Sequence, residues 1–70
     1  MDFHPQIQLS KNEKELLQLL SLGMTKNTIA QKLSISKYTV DKQLRNIFIK
    51  LNVHSTVAAV ASAIRKGDIS

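Results

Sequence analysis

The sequence predicts an all-α protein, a compact four-helix bundle that contains a helix-turn-helix and no wing. Three observations predict it. Apolar residues make up 43% of the chain, and only two glycines and one proline interrupt it, so helix is rarely broken. Apolar side chains recur three and four residues apart in four segments. Each of those segments follows a serine or threonine able to cap a helix: Ser10, Thr25, Ser36 and Ser55.

Residues 1–8 lack periodicity and contain Pro5, and read as a flexible arm or linker stump before a domain at 9–70. Ser10 and Glu13 have the spacing of a capping box, in which each side chain satisfies the other's backbone amide. Leu16, Leu17 and Leu20 then place a first helix at 11–21, closed by Gly23. Thr25 opens a short second helix, "KNTIAQKL", with Ile29, Ala30 and Leu33 inward. "SIS", residues 34–36, breaks the pattern; Ile35 plugs the corner and Ser36 caps a third helix at 37–51. Its core stripe is Val40, Leu44, Ile47 and Leu51, with Phe48 beside it and Asn52 as the stop. Ser55 opens a fourth helix that runs to Lys66. There Val57, Val60, Ala61 and Ile64 are expected to face the core, which turns Ala59, Ser62 and Ala63 outward.

A chain of 70 residues makes one domain. Cysteine is absent, so disulfides and thiolate metal sites are excluded, which suits a reducing cytoplasm. The start, "MDFHPQIQ", has neither the basic nor the apolar region of a signal peptide. "VAAVASAI", residues 57–64, falls far short of the ~20 apolar residues that span a bilayer. Catalysis has little to work with. His4 and His54 lie far apart, no glycine-rich phosphate loop exists, and Glu13 and Glu15 look like charge balance on an exposed helix. No enzyme activity, cofactor or metal is expected.

The net charge is +5, and all of it sits between residues 26 and 50. That stretch holds Lys26, Lys32, Lys37, Lys42, Arg45 and Lys50 against the single acid Asp41. One-signed charge concentrated in this way suits an anionic partner, although a solvated basic face would look the same. The third helix favours the partner. Opposite its core stripe, Tyr38, Lys42, Arg45 and Ile49 recur at helical spacing. A helix fits the major groove of double-stranded DNA. Lys42 and Arg45 can donate to guanine, Tyr38 can reach a phosphate or base edge, and Ile49 can pack on sugar or a thymine methyl. Lys37 and Lys50 are expected at phosphates. Asp41 has three readings. It accepts from cytosine, it orients Lys37, Lys42 or Arg45, or it only favours the positive pole of its helix.

The residues "LSKNEKELLQLLSLGMTKNTIAQKLSISKYTVDKQLRNIFIKLNVHS" resemble the LuxR/FixJ (GerE-type) DNA-binding domain of bacterial transcription regulators. The likeness covers about residues 9 to 67, and its most specific parts are "IAQKLSIS", "TV" and the N-I-x-x-K-L-x-V pattern. It implies sequence-specific DNA binding as the output module of a regulator, with helix 37–51 in the major groove. It also implies contacts from Thr39, Asp41, Lys42, Arg45 and Lys50. The last helix would pair two copies, through Ala59, Ser62 and Ala63 if these lie outward. A receiver or ligand-binding domain commonly precedes such a module. The chain departs from the family at Asp41, where a basic residue is common, at Gln43, and at Thr56, where arginine is common. Those departures keep a second reading open: a helical protein-interaction domain that has kept the fold and lost base readout.

Overall fold

The computed structural model describes residues 8–70. It contains α1 (Lys11–Ser21), α2 (Lys26–Leu33), α3 (Lys37–Leu51) and α4 (Thr56–Arg65), with no strand among the described residues. The expected arm at 1–8 lies outside the described residues except for Gln8, which is exposed. α1 and α3 each touch the other three helices, while α2 and α4 do not meet.

All four helices begin in the same way. Ser10, Thr25, Ser36 and Ser55 are N-caps whose hydroxyls accept the amides of Glu13, Thr28, Thr39 and Ala58 at 3.0–3.1 Å. Each such cap typically contributes about 1 kcal/mol. At α1 the capping box is complete, since the Ser10 amide donates back to Glu13 Oε1 at 2.8 Å.

All four helices also end in the same way. Gly23, Ser34, Asn52 and Gly67 adopt positive φ. The next residue then donates its amide five positions back: Met24 to Leu19, Ile35 to Ala30, Val53 to Phe48 and Asp68 to Ala63. This satisfies carbonyls that a helix end leaves orphaned. Three of those four residues are apolar, and Met24, Ile35 and Val53 pack against the core. The stops therefore aim the chain as well as ending the helix. Ile35 plugs the corner between α2 and α3 in this way.

The core takes Leu16, Leu17 and Leu19 from α1, Ile29 and Ala30 from α2, and Val40, Leu44, Ile47 and Leu51 from α3. Leu9 and Ile69 close it from either end of the described chain. The tail is held further by Gln18, whose amide donates to the Ser70 carbonyl at 2.9 Å and accepts the Ser70 amide at 3.2 Å.

α4 corrects the expectation from sequence. Ala59 and Ala63 are fully buried and Ser62 nearly so. Val57 is 80% exposed and Ile64 49%. Ala59, Ser62 and Ala63 thus face the core of their own chain and cannot form a surface for a second copy. The physical reason is space. Leucines and isoleucines of α1 and α3 already fill the interior, so α4 fits only by offering small side chains. Val57 and Ile64 are left outside, while Val60 is half-buried against the core.

Candidate nucleic-acid interface

α3 positions the site. Its inward face is fixed by Val40 and Ile47, both fully buried, and by Leu44 and Leu51. With that face locked, the opposite face must point outward. Tyr38 is 75% exposed and Ile49 72%, and Lys42 and Arg45 between them are exposed too. The four residues therefore share one exposed stripe, as their spacing predicts.

The start of α3 adds polar groups. Lys37 is exposed in the first turn. Thr39 is half-buried, and its Oγ1 lies 2.9 Å from Ser36 Oγ, so the side chain is already hydrogen-bonded to the cap. The helix N-terminus there carries free amides and a positive pole, which favour an anion.

Asp41 sits on one flank of the stripe, and its partner is on a different helix. Oδ1 lies 3.0 Å from the Lys26 ammonium at the start of α2. That oxygen is covered and makes no well-directed hydrogen bond, so the contact is a charge pairing across the α2–α3 corner. Both side chains are nearly half exposed, and such pairs contribute about 0–1 kcal/mol. The expectation that Asp41 orients Lys37, Lys42 or Arg45 is corrected to this extent: the structure pairs it with Lys26. Beside the pair, Arg45, Phe48, His54, Ser55 and Thr56 help line an open groove of about 500 Å³ that runs toward the start of α4.

Lys50 lies on the other flank and is two-thirds covered. Its ammonium donates to Glu13 Oε1 at 2.7 Å. Glu13, expected on an exposed surface, is buried. Burial raises its pKa, but the Lys50 and Ser10 hydrogen bonds and the Lys50 charge outweigh that, and the carboxyl ends below its usual 4.5. The i, i+3 spacing of Ser10 and Glu13 showed the cap. Nothing local showed a partner 37 residues away.

A second exposed surface lies on α4. Val57, Val60, Ala61 and Ile64 line a shallow apolar groove with Leu20 and Ser21 of α1. Leu22, 70% exposed, follows the end of α1. Of the four α4 residues expected in the core, Val57 and Ile64 are exposed, whereas Val60 is half-buried and packs against the core as expected, and Ala61 is half-buried. The signal that could have corrected this is the second period on the same helix, Ala59, Ser62 and Ala63, made only of small side chains. Among the described residues, no cluster of His, Asp and Glu gathers to hold a metal ion. No single described helix is long and apolar enough to cross a membrane.

Comparison with known proteins bears on this arrangement. Residues 7–63 match the model of the family described as bacterial regulatory proteins, luxR family. The chain is 42% identical over 60 residues to the uncharacterized response regulatory protein YgeK of Escherichia coli, covering 86% of this chain and 41% of that protein. It is 37% identical over 59 residues to the transcriptional regulatory protein DegU of Brevibacillus brevis, covering 84% of this chain and 25% of DegU. The chain therefore spans well under half the length of these relatives. The structure of the transcription factor GerE superposes with a TM-score of 0.86 at 30% identity, over 94% of this chain and 97% of that one. The response regulator ChrA, from a heme-sensing two-component system, superposes with a TM-score of 0.89 at 38% identity, over 94% of this chain and 33% of that one.

Proposed function

Because the chain belongs to the luxR family of bacterial regulatory proteins, we propose that it is a sequence-specific DNA-binding module, the output part of a transcription regulator. α3 enters the major groove and presents Tyr38, Lys42, Arg45 and Ile49 to the bases. The observation that carries this reading is the stripe itself: two cations between two exposed large side chains, on a helix whose other face is locked in the core. Lys42 and Arg45 donate to guanine acceptors, Ile49 packs on a thymine methyl, and Tyr38 reaches a phosphate or a base edge. Lys37, Ser36 and Thr39 sit at the backbone, where amides at the start of α3 favour a phosphate.

Two copies act together on a near-palindromic site. The shallow apolar groove on α4, where Val57 and Ile64 are exposed beside the half-buried Val60 and Ala61, supports pairing through an apolar contact. The greater length of the relatives supports a receiver or other sensing domain elsewhere in a longer regulator. Such a regulator acts in the cytoplasm, where bacterial DNA lies.

Fluorescence anisotropy on mixed-sequence duplexes across a salt series tests the reading. Binding is expected to weaken with salt and to weaken further in Lys42→Ala and Arg45→Ala. The competing reading, a protein-interaction domain, draws on Asp41, an acid at the edge of the reading face. Asp41→Lys separates the two. A modest gain in affinity fits a working reader, while a gain of several orders from almost no binding marks a reader that has been lost.

A further inference from the structure

The charge of Lys50 and its place on α3 suggest a phosphate contact, yet the structure pairs its ammonium with Glu13. It lies about 110° round the helix from the exposed stripe, at 3.6 residues per turn. Its ammonium donates to Glu13 Oε1, the same oxygen that accepts the Ser10 amide. A longer contact, 3.4 Å, reaches the Gln8 carbonyl. Three parts of the chain therefore meet at one ammonium: the segment entering α1, the first turn of α1 and the last turn of α3. Moving Lys50 to a phosphate would leave the buried Glu13 carboxylate without its counter-charge. A surface phosphate contact would first have to offset that loss.

We propose that Lys50 is a positioning residue and not a phosphate contact: with Glu13 it ties the last turn of α3 to the first turn of α1, and so fixes the angle at which the exposed stripe meets DNA. The inference rests on the DNA-binding reading above. The two ends of α3 are then held by different means. Ser36 and the α2–α3 corner fix the first turn, and the Glu13–Lys50 pair fixes the last.

Glu13→Gln isolates the pair, because glutamine keeps the capping box and loses only the charge that holds Lys50. Lys50→Met removes the ammonium and keeps most of the stem, and Lys50→Arg keeps the cation. Each variant is titrated by anisotropy with a mixed-sequence duplex over a salt series, at a temperature where circular dichroism shows it folded. Glu13→Gln and Lys50→Met are each expected to weaken binding by about three- to tenfold, and the double variant no further. Their salt slope stays that of the parent, and Lys50→Arg recovers most of the affinity. A slope lowered by about 0.9 in Lys50→Met, with Glu13→Gln unaffected, would make Lys50 a phosphate contact and overturn the proposal. Unchanged affinity in both variants would overturn it as well. If the parent chain itself does not bind the duplex, the DNA reading fails separately. Amide exchange without DNA then decides: faster exchange at residues 48–51 in Glu13→Gln keeps the tie between α3 and α1, and unchanged exchange removes it.

Discussion

α3 and α4 are neighbouring amphipathic helices that hide opposite kinds of residue. α3 buries Val40, Leu44, Ile47 and Leu51 and shows water its cations. α4 buries Ala59, Ser62 and Ala63 and shows water Val57 and Ile64. The difference lies in packing order. α3 is the centre of the bundle and supplies volume to the core. α4 closes over a core already filled, and small side chains let its backbone approach. Each helix is left with an outer face of different chemistry, cationic on α3 and apolar on α4. Those faces suit different partners, an anionic polymer for the first and another apolar surface for the second.

The comparison breaks most readily at the inner face of α4. Ala63→Leu forces extra volume against a filled core and is expected to cost about 1–3 kcal/mol. In a domain of this size that lowers Tm by about 4–24 °C, read by circular dichroism. An unchanged Tm would mean that the inner face is loose and that space does not dictate its small residues. Next comes the outer face of α3. Arg45→Ala is expected to lose about 1–3 kcal/mol of DNA affinity, with Tm almost unaltered. A large loss of Tm with no loss of affinity would make the stripe structural.

The outer face of α4 should behave differently from both. Val57→Glu is expected to leave the monomer's stability within about 0.5 kcal/mol and to abolish pairing on DNA. Sedimentation of the DNA complex reads the stoichiometry, and two copies still bound in the variant would clear α4 of that role. A smaller effect concerns Glu13, whose carboxyl is held below its usual 4.5 in the folded chain. A group depressed on folding stabilises the fold above its unfolded pKa, and the contribution is lost as pH falls through the folded value. Stability should therefore decline below about pH 4.5, and Glu13→Gln should flatten that decline in denaturant titrations followed by pH. The smallest effect is expected at Asp41→Asn. It removes an exposed pairing with Lys26 worth about 0–1 kcal/mol, and should raise DNA affinity slightly by taking a negative charge from the edge of the stripe.

What could be read in the sequence follows the range of the physics. The caps at Ser10, Thr25, Ser36 and Ser55 are set by residues three apart, and the bounds of α1, α2 and α3 follow from them. Asn52 stops α3 by its own backbone preference, and the α3 core stripe is a strong single period. The exposed stripe then follows by geometry. The facing of α4 departs from expectation because the helix carries two periods, one large and one small, and hydrophobicity alone ranks the large one inward. Choosing between them needs the volume already supplied by α1 and α3, which no local window contains. The Glu13–Lys50 and Lys26–Asp41 pairs also join residues distant in sequence, so their charges could be seen but not their partners. Ile69 gave no sign of its burial, having no helical neighbours to set a period.

The most direct test of the account follows backbone amide signals of the isotopically labelled chain as a mixed-sequence DNA duplex is added. The account predicts that the largest shifts fall on α3, at Tyr38, Lys42, Arg45 and Ile49 and at the first turn beside Lys37, and that they weaken with salt. Shifts concentrated on Val57, Val60 and Ile64, with the α3 stripe silent, would contradict it.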